Sequence, residues 1–125
     1  MKKPAFFLQR MNDHVQYLGK IKATLNQYGD FQGTECQHCA LGKWLYGNGA
    51  HEASELGHEG ARLFEQLIEP HEHFHEASAR ALSAFKQGDE VGQYRAMTEM
   101  HQLSNQLVKM LLDLDRYASK QARSA

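Results

Sequence analysis

The sequence is short of several things, and each shortage removes a class of explanation. Only two cysteines, Cys36 and Cys39, occur in 125 residues. That is too few for the disulfide scaffold of a small secreted domain. Positive charge is not in excess either. The formal net charge is −1 with the histidines neutral, and Lys and Arg are scattered along the chain. A nucleic acid or an anionic membrane surface therefore finds no basic field here, and neither is expected as a partner. No apolar run is long enough for a signal peptide or a membrane span. Met1-Lys2-Lys3-Pro4 leads straight into an amphipathic pattern, so a cytoplasmic location is expected. Strand-like alternation, internal repeats and low-complexity tracts are also missing. A chain of this length reads as one domain, residues 1–125, able to bury a core without covalent staples.

What the chain does have is helical periodicity and histidine. In the first pattern, Phe7, Met11, Leu18, Ile21, Leu25 and Tyr28 fall at steps of three and four, and His14 fills the gap in that seam. Such a stripe is one face of a helix packed in a bundle, expected over residues 4–28. Pro4 suits its first turn, and Gly29 suits a left-handed cap at its end. A second pattern spans 52–86, with Ala61, Phe64, Ile68, His71, His75, Ser78, Leu82 and Phe85 on its stripe. Its register carries through Pro70, so a kink there, or a restart with little change of face, is expected. The turn Gln87-Gly88-Asp89 leads to a last helix over 89–118. Its face carries Met97, Met100, Leu103, Leu107, Leu111 and Leu114, with Tyr94, Val108, Tyr117 and His101 beside them. The tail 120–125 is expected to fray. The fold class is all-α: an antiparallel helical bundle with one short extra helix.

That short helix, 39–46, lies in the stretch that concentrates the chemistry. Cys36 to Gly47 holds both thiols, a histidine and the only tryptophan. Cys39 falls near the helix start, where free N–H groups and the dipole favour a thiolate. Leu41, Trp44 and Leu45 offer an apolar side that anchors on the bundle. Eight histidines are present, and five lie between positions 51 and 75. His71 and His75, four apart, stand one above the other on an inward stripe, whereas His73, His51 and His58 should face solvent. His75 and His101 are equidistant from Gly88, which puts them at one height in an antiparallel pair. A lone seam histidine such as His14 is ordinarily a core residue bonded to a carbonyl. Three inward imidazoles and one thiolate, however, form a set that zinc accepts at four corners, with no position left for water. The candidate metal ligands are His14, Cys39, His71 and His75, and the expected cofactor is Zn2+.

The motifs His14-x-x-Tyr17, Cys39-x-Leu41-Gly42-x-Trp44 and His71-x-x-x-His75, separated by 21 and 26 residues, resemble the chemoreceptor zinc-binding (CZB) family. The resemblance implies a helical bundle with one 3-His/1-Cys zinc, carried by the same four residues. It implies a regulatory role in bacterial signal transduction and chemotaxis, beside a chemoreceptor or a diguanylate cyclase. The input would be zinc availability or an oxidant such as hypochlorous acid. A homodimer is a further expectation of that likeness.

Three other readings compete. His71-Glu72-His73-Phe74-His75 also spells the zincin motif His-Glu-x-x-His, but Ser78 and Ala81 stand where the longer metzincin motif has Gly and His. Glu55-x-x-His58 and Glu72-x-x-His75 resemble the paired motifs of di-iron bundles, but neither glutamate lies on an apolar stripe. A plain helical interaction module would have to bury three imidazoles without partners, which costs stability. Cys36-x-x-Cys39 has the spacing of a redox pair. Cys36 as a loop cysteine without a role is the plainer reading of it. Haem attachment is excluded because Ala40 follows.

Overall fold

Residues three and four apart in the sequence become the buried stripes of three long helices. In the computed structural model, which describes residues 5–124 with side chains from Phe7 to Gln121, all regular structure is helical. The helices are α1 (Ala5–Leu25), α2 (Ala40–Leu45), α3 (Gly49–Ser54), α4 (Gly57–Glu65), α5 (Ile68–Gln87) and α6 (Glu90–Ser124). Pro4 and Ala125 lie outside the described residues. The all-α bundle with a short cysteine-bearing helix is thus the observed architecture.

The core sits where α1, α5 and α6 meet. Ile21, Leu67, Phe74, Met100, Leu107, Leu111 and Leu114 are fully buried there. A tight turn joins α5 to α6. Gly88 supplies the left-handed residue (φ 72°), and the Gly92 N–H donates to Asp89 Oδ1 at 3.0 Å. The two helices run antiparallel, bridged by Arg80 and Glu99 at 2.8 Å. α6 is 35 residues long, or about 50 Å, and so outreaches α5. Beyond α5 it packs on α4, where Tyr117 donates to the Leu56 carbonyl at 3.3 Å.

Four expectations change. The 52–86 pattern is three helices rather than one kinked helix. It breaks around Leu56–Gly57, where Gly57 takes φ 88°, and again at Gln66–Leu67. Pro70 does not kink anything; of the two expectations there, the restart is the one found, at Ile68 just before the proline. It lies in the first turn of α5, where a missing N–H breaks no intrahelical bond. The first helix ends at Leu25, not 28, and Gln27, not Gly29, is the left-handed residue (φ 65°). Bonds from Tyr28 N–H to the Ala23 carbonyl (2.8 Å) and from Gln27 N–H to the Thr24 carbonyl (3.1 Å) make a Schellman end. Tyr28, expected in the seam, is consequently 89% exposed. At the other terminus, α6 continues to Ser124, past the expected end at 118.

Candidate metal centre

The Cys39 side is built by a short helix that its own sequence terminates and caps. Cys39 is the N-cap of α2: its sulfur accepts the Gly42 N–H at 3.1 Å. Gly42 has a steric task as well. A Cβ at that position would overlap the Cys36 carbonyl oxygen, so only glycine lets the preceding turn fold down onto the helix. Trp44 then fixes α2 to the bundle. Its ring meets Phe7 and Phe64 edge-on at 5.8 and 5.3 Å, and its Nε1–H donates to Glu52 at 3.1 Å.

The histidine side is one face of α5. His71 and His75 are buried, with ring centroids 4.7 Å apart, while His73 is exposed. The Cys39 sulfur lies 3.3 Å from His71 Nε2. Cys39, His71 and His75 each bring a donor atom within 4.8 Å of the others'. Around a tetrahedral zinc, with Zn–S near ~2.3 Å and Zn–N near ~2.0 Å, neighbouring donors stand roughly 3.3–3.7 Å apart. The Cys39–His71 separation is of that size.

The protein aims His75 through a third segment. The loop between α1 and α2 brings the Thr34 carbonyl to 3.1 Å from His75 Nδ1. With Nδ1 donating there, the Nε2 lone pair is left to serve as a ligand. Tyr17 on α1 holds that loop in place. Its hydroxyl accepts the Thr34 N–H at 2.8 Å and lies 3.3 Å from His75 Nδ1. Gly33, at φ 83°, makes the loop's turn possible.

His14 borders this group without joining it. It is buried and packs edge-on against Phe74 at 4.6 Å, but its Nε2 sits 2.9 Å from Ser104 Oγ. It is not among the three residues whose donor atoms cluster. His101 is absent from the cluster too, because the register differs from the one expected. Arg80 pairs with Glu99 across the two helices, and five residues back on α5 and five forward on α6 set residue 104, not 101, level with His75. Ser104 and Thr34 were not found from the sequence. Ser104 had a signal: it interrupts the buried stripe Ala96, Met100, Leu107, Leu111. Thr34 contributes a main-chain carbonyl, which no side-chain pattern reports.

The donor set suits a soft divalent cation. Burial holds all three imidazoles neutral, with His71 lowered to about 3, His14 to about 4 and His75 also lowered. For His71 and His14, repulsion from neighbouring histidines adds to the effect. Neutral imidazoles present the lone pairs a metal needs. His71 Nδ1 is buried with no hydrogen-bond partner, so the protein alone does not satisfy this ring. Cys39 departs from expectation. Burial pushes its thiol up, and the Gly42 and Leu41 N–H groups offset this only in part. The helix start is therefore not enough to hold a thiolate, and a bound cation would supply the missing positive charge.

The glutamates that the two rival metal motifs need point elsewhere. Glu72 is exposed and accepts from the Tyr46 hydroxyl at 3.3 Å. Glu55 and His58 are exposed as well.

The family model of the chemoreceptor zinc-binding domain (CZB) matches residues 14–82. The chain belongs to the CZB family. The match begins at His14 and closes just past His75, so it encloses the whole histidine and cysteine cluster. No curated protein and no solved structure matches the chain. The CZB match and the Cys39/His71/His75 cluster together fit a zinc-binding signalling domain. No described helix is long and apolar enough to cross a membrane.

Proposed function

We propose that this CZB chain is a regulatory zinc module, with His14, Cys39, His71 and His75 as the ligands. The observation that carries the proposal is the convergence of Cys39, His71 and His75 to within 4.8 Å, inside the matched region. When bound, zinc would act as a structural cross-link between α1, α5 and the short α2. His14 is the fourth ligand in this reading. With Ser104 engaged at Nε2, Nδ1 is the ring nitrogen that remains for the metal.

The module works by losing one corner. Cys39 caps a six-residue helix, while His71 and His75 share a helix of 20 residues packed along α6. Removing zinc, or oxidising Cys39, frees the α2 segment and leaves α5 in place. That is a two-state element biased by one bond. Its output passes to a partner protein of a chemoreceptor or diguanylate cyclase pathway in the cytoplasm, and a homodimer is the proposed form. No enzymatic activity is part of this function, since Glu72, the base a hydrolase would use, faces solvent.

Metal analysis of the purified protein tests the reading. Zinc should bind stoichiometrically to the wild type, be lost in Cys39→Ala and persist in His101→Ala. Amide exchange in residues 36–47 should accelerate when zinc is removed, with α5 and α6 still protected. A wild-type protein that takes up no zinc, or a uniform exchange response, would overturn it.

A further inference from the structure

The Cys36-x-x-Cys39 pair is not used by the zinc reading, and the structure gives its two sulfurs opposite environments. Cys39 is 7% exposed. Its sulfur is enclosed by the Gly42 N–H at 3.1 Å, His71 Nε2 at 3.3 Å and the Cys36 carbonyl at 3.7 Å. An oxidant dissolved in water has little access to it. Cys36 is only partly buried and lines an open cavity of about 690 Å³ between the 32–37 loop and α5. Its sulfur makes only long contacts, 3.6 Å to Gln37 Oε1 and 3.8 Å to the Tyr46 hydroxyl.

The two residues are nonetheless held against each other. Cys36 lies within a turn closed by the His38 N–H donating to the Glu35 carbonyl at 2.9 Å, and Cys39 directly follows that turn. Gly42 lets the Cys36 main chain lie on the first turn of α2, beside the Cys39 sulfur. Rotation of the Cys36 side chain away from Gln37 and Tyr46 is the movement needed to bring its sulfur toward Cys39. Susceptibility to oxidation follows thiolate character and exposure, and of the two thiols it is Cys36 that the open cavity exposes.

We infer that Cys36 is the oxidant-accepting thiol of this protein, and that it passes the oxidation to buried Cys39 as a Cys36–Cys39 disulfide. The oxidant class is a two-electron oxidant, here hypochlorous acid. Cys36–SH and HOCl give Cys36–SOH, a proton and chloride: sulfur is oxidised by two electrons and chlorine reduced by two. The Cys39 sulfur then attacks the Cys36 sulfur. The S–S bond forms and the S–O bond breaks. The leaving hydroxide takes up the Cys39 thiol proton, or a solvent proton if Cys39 is a thiolate, and departs as water into the open cavity. Cys39 then has no free sulfur to offer a metal. This deepens the zinc-module reading, and rests on it only for that last consequence.

The experiment treats the full-length protein with one equivalent of hypochlorous acid, both stripped of metal and loaded with zinc. Intact mass and peptide mapping follow the thiols, and a chromophoric chelator follows zinc. In the stripped protein, a Cys36–Cys39 disulfide should form, with the mass falling by two hydrogens, and a thiol reductant should reverse it. In the loaded protein, zinc release should be slower by about tenfold or more in Cys36→Ser than in wild type. Cys36→Ala should behave like Cys36→Ser. Equal release rates, or Cys39 oxidised with no disulfide, would overturn the inference while leaving an oxidant-responsive zinc module standing. A disulfide that forms in the stripped protein, with no zinc bound by the native one, would uphold the thiol relay and sink the zinc reading instead.

Discussion

The two halves of the metal centre are held in different ways. The α5 half is a regular helix. His71 and His75 are placed by the same backbone bonds and the same α6 packing that build the core. The α2 half is an exception at every step. It is one and a half turns of helix, a cap made by the ligand itself, a glycine that must remain a glycine, and one tryptophan for an anchor. The lesson is that one half can be lost without the other. A ligand on a long packed helix moves only when the bundle melts, whereas a ligand on a short capped helix can be released locally.

Among single substitutions, the largest break in this contrast should come from Gly42→Ala. Its Cβ would overlap the Cys36 carbonyl, and a clash with main chain is not relieved by a side-chain rotation. We expect a loss of about 3 kcal/mol in urea unfolding, in line with overpacking at a closed site, and a weakened Cys39 corner. Amide protection in α5 and α6 should survive. If protection falls equally everywhere, the two halves are not separable.

Acid probes the α5 half together with His14. In the folded, metal-free protein His71 and His14 titrate at about 3 and about 4, below the ordinary value near ~6.5 in the unfolded chain. The unfolded chain therefore binds more protons below pH ~6.5, and stability falls as acid is added. The contribution is complete above that pH and declines toward the folded values. Thermal unfolding of the metal-free protein at about pH 5 should show a deficit of about 2 kcal/mol from each of the two rings, about 4 kcal/mol together, against about pH 7.5. A flat profile would mean that the imidazoles are not buried neutral.

Tyr17→Phe tests the joint between the halves, because Tyr17 holds the loop whose Thr34 carbonyl aims His75. Zinc affinity should drop about tenfold or more, as expected when a ligand loses its outer support. Competition against a chelator of known strength reads this directly. Gln27→Gly, remote from both halves, should be the smallest effect. It relieves a left-handed glutamine (φ 65°) and should stabilise the protein by roughly 0.5–1 kcal/mol, with zinc affinity unchanged.

Periodicity alone was sufficient for the all-helical class and for the inward faces of α1 and α5, because burial in a bundle selects every third or fourth residue. The same logic marked His71, His75 and His14 as inward and His73 as outward, and the motif around Cys39 marked the short helix. Helix ends were less readable. Gln27 took the left-handed position ahead of Gly29, and the breaks before α4 and α5 fell upstream of Pro70. Termination depends on which carbonyls are already bonded, and several residues can meet that need. What the sequence by itself determined is which side chains point inward. Only the tertiary structure decided which of them meet: it joined Cys39 to His71 and His75, gave His14 to Ser104, and brought a main-chain carbonyl to His75. Those choices come from how far one helix is slid and turned against the next, and that is settled by packing over the whole core, not by any local pattern.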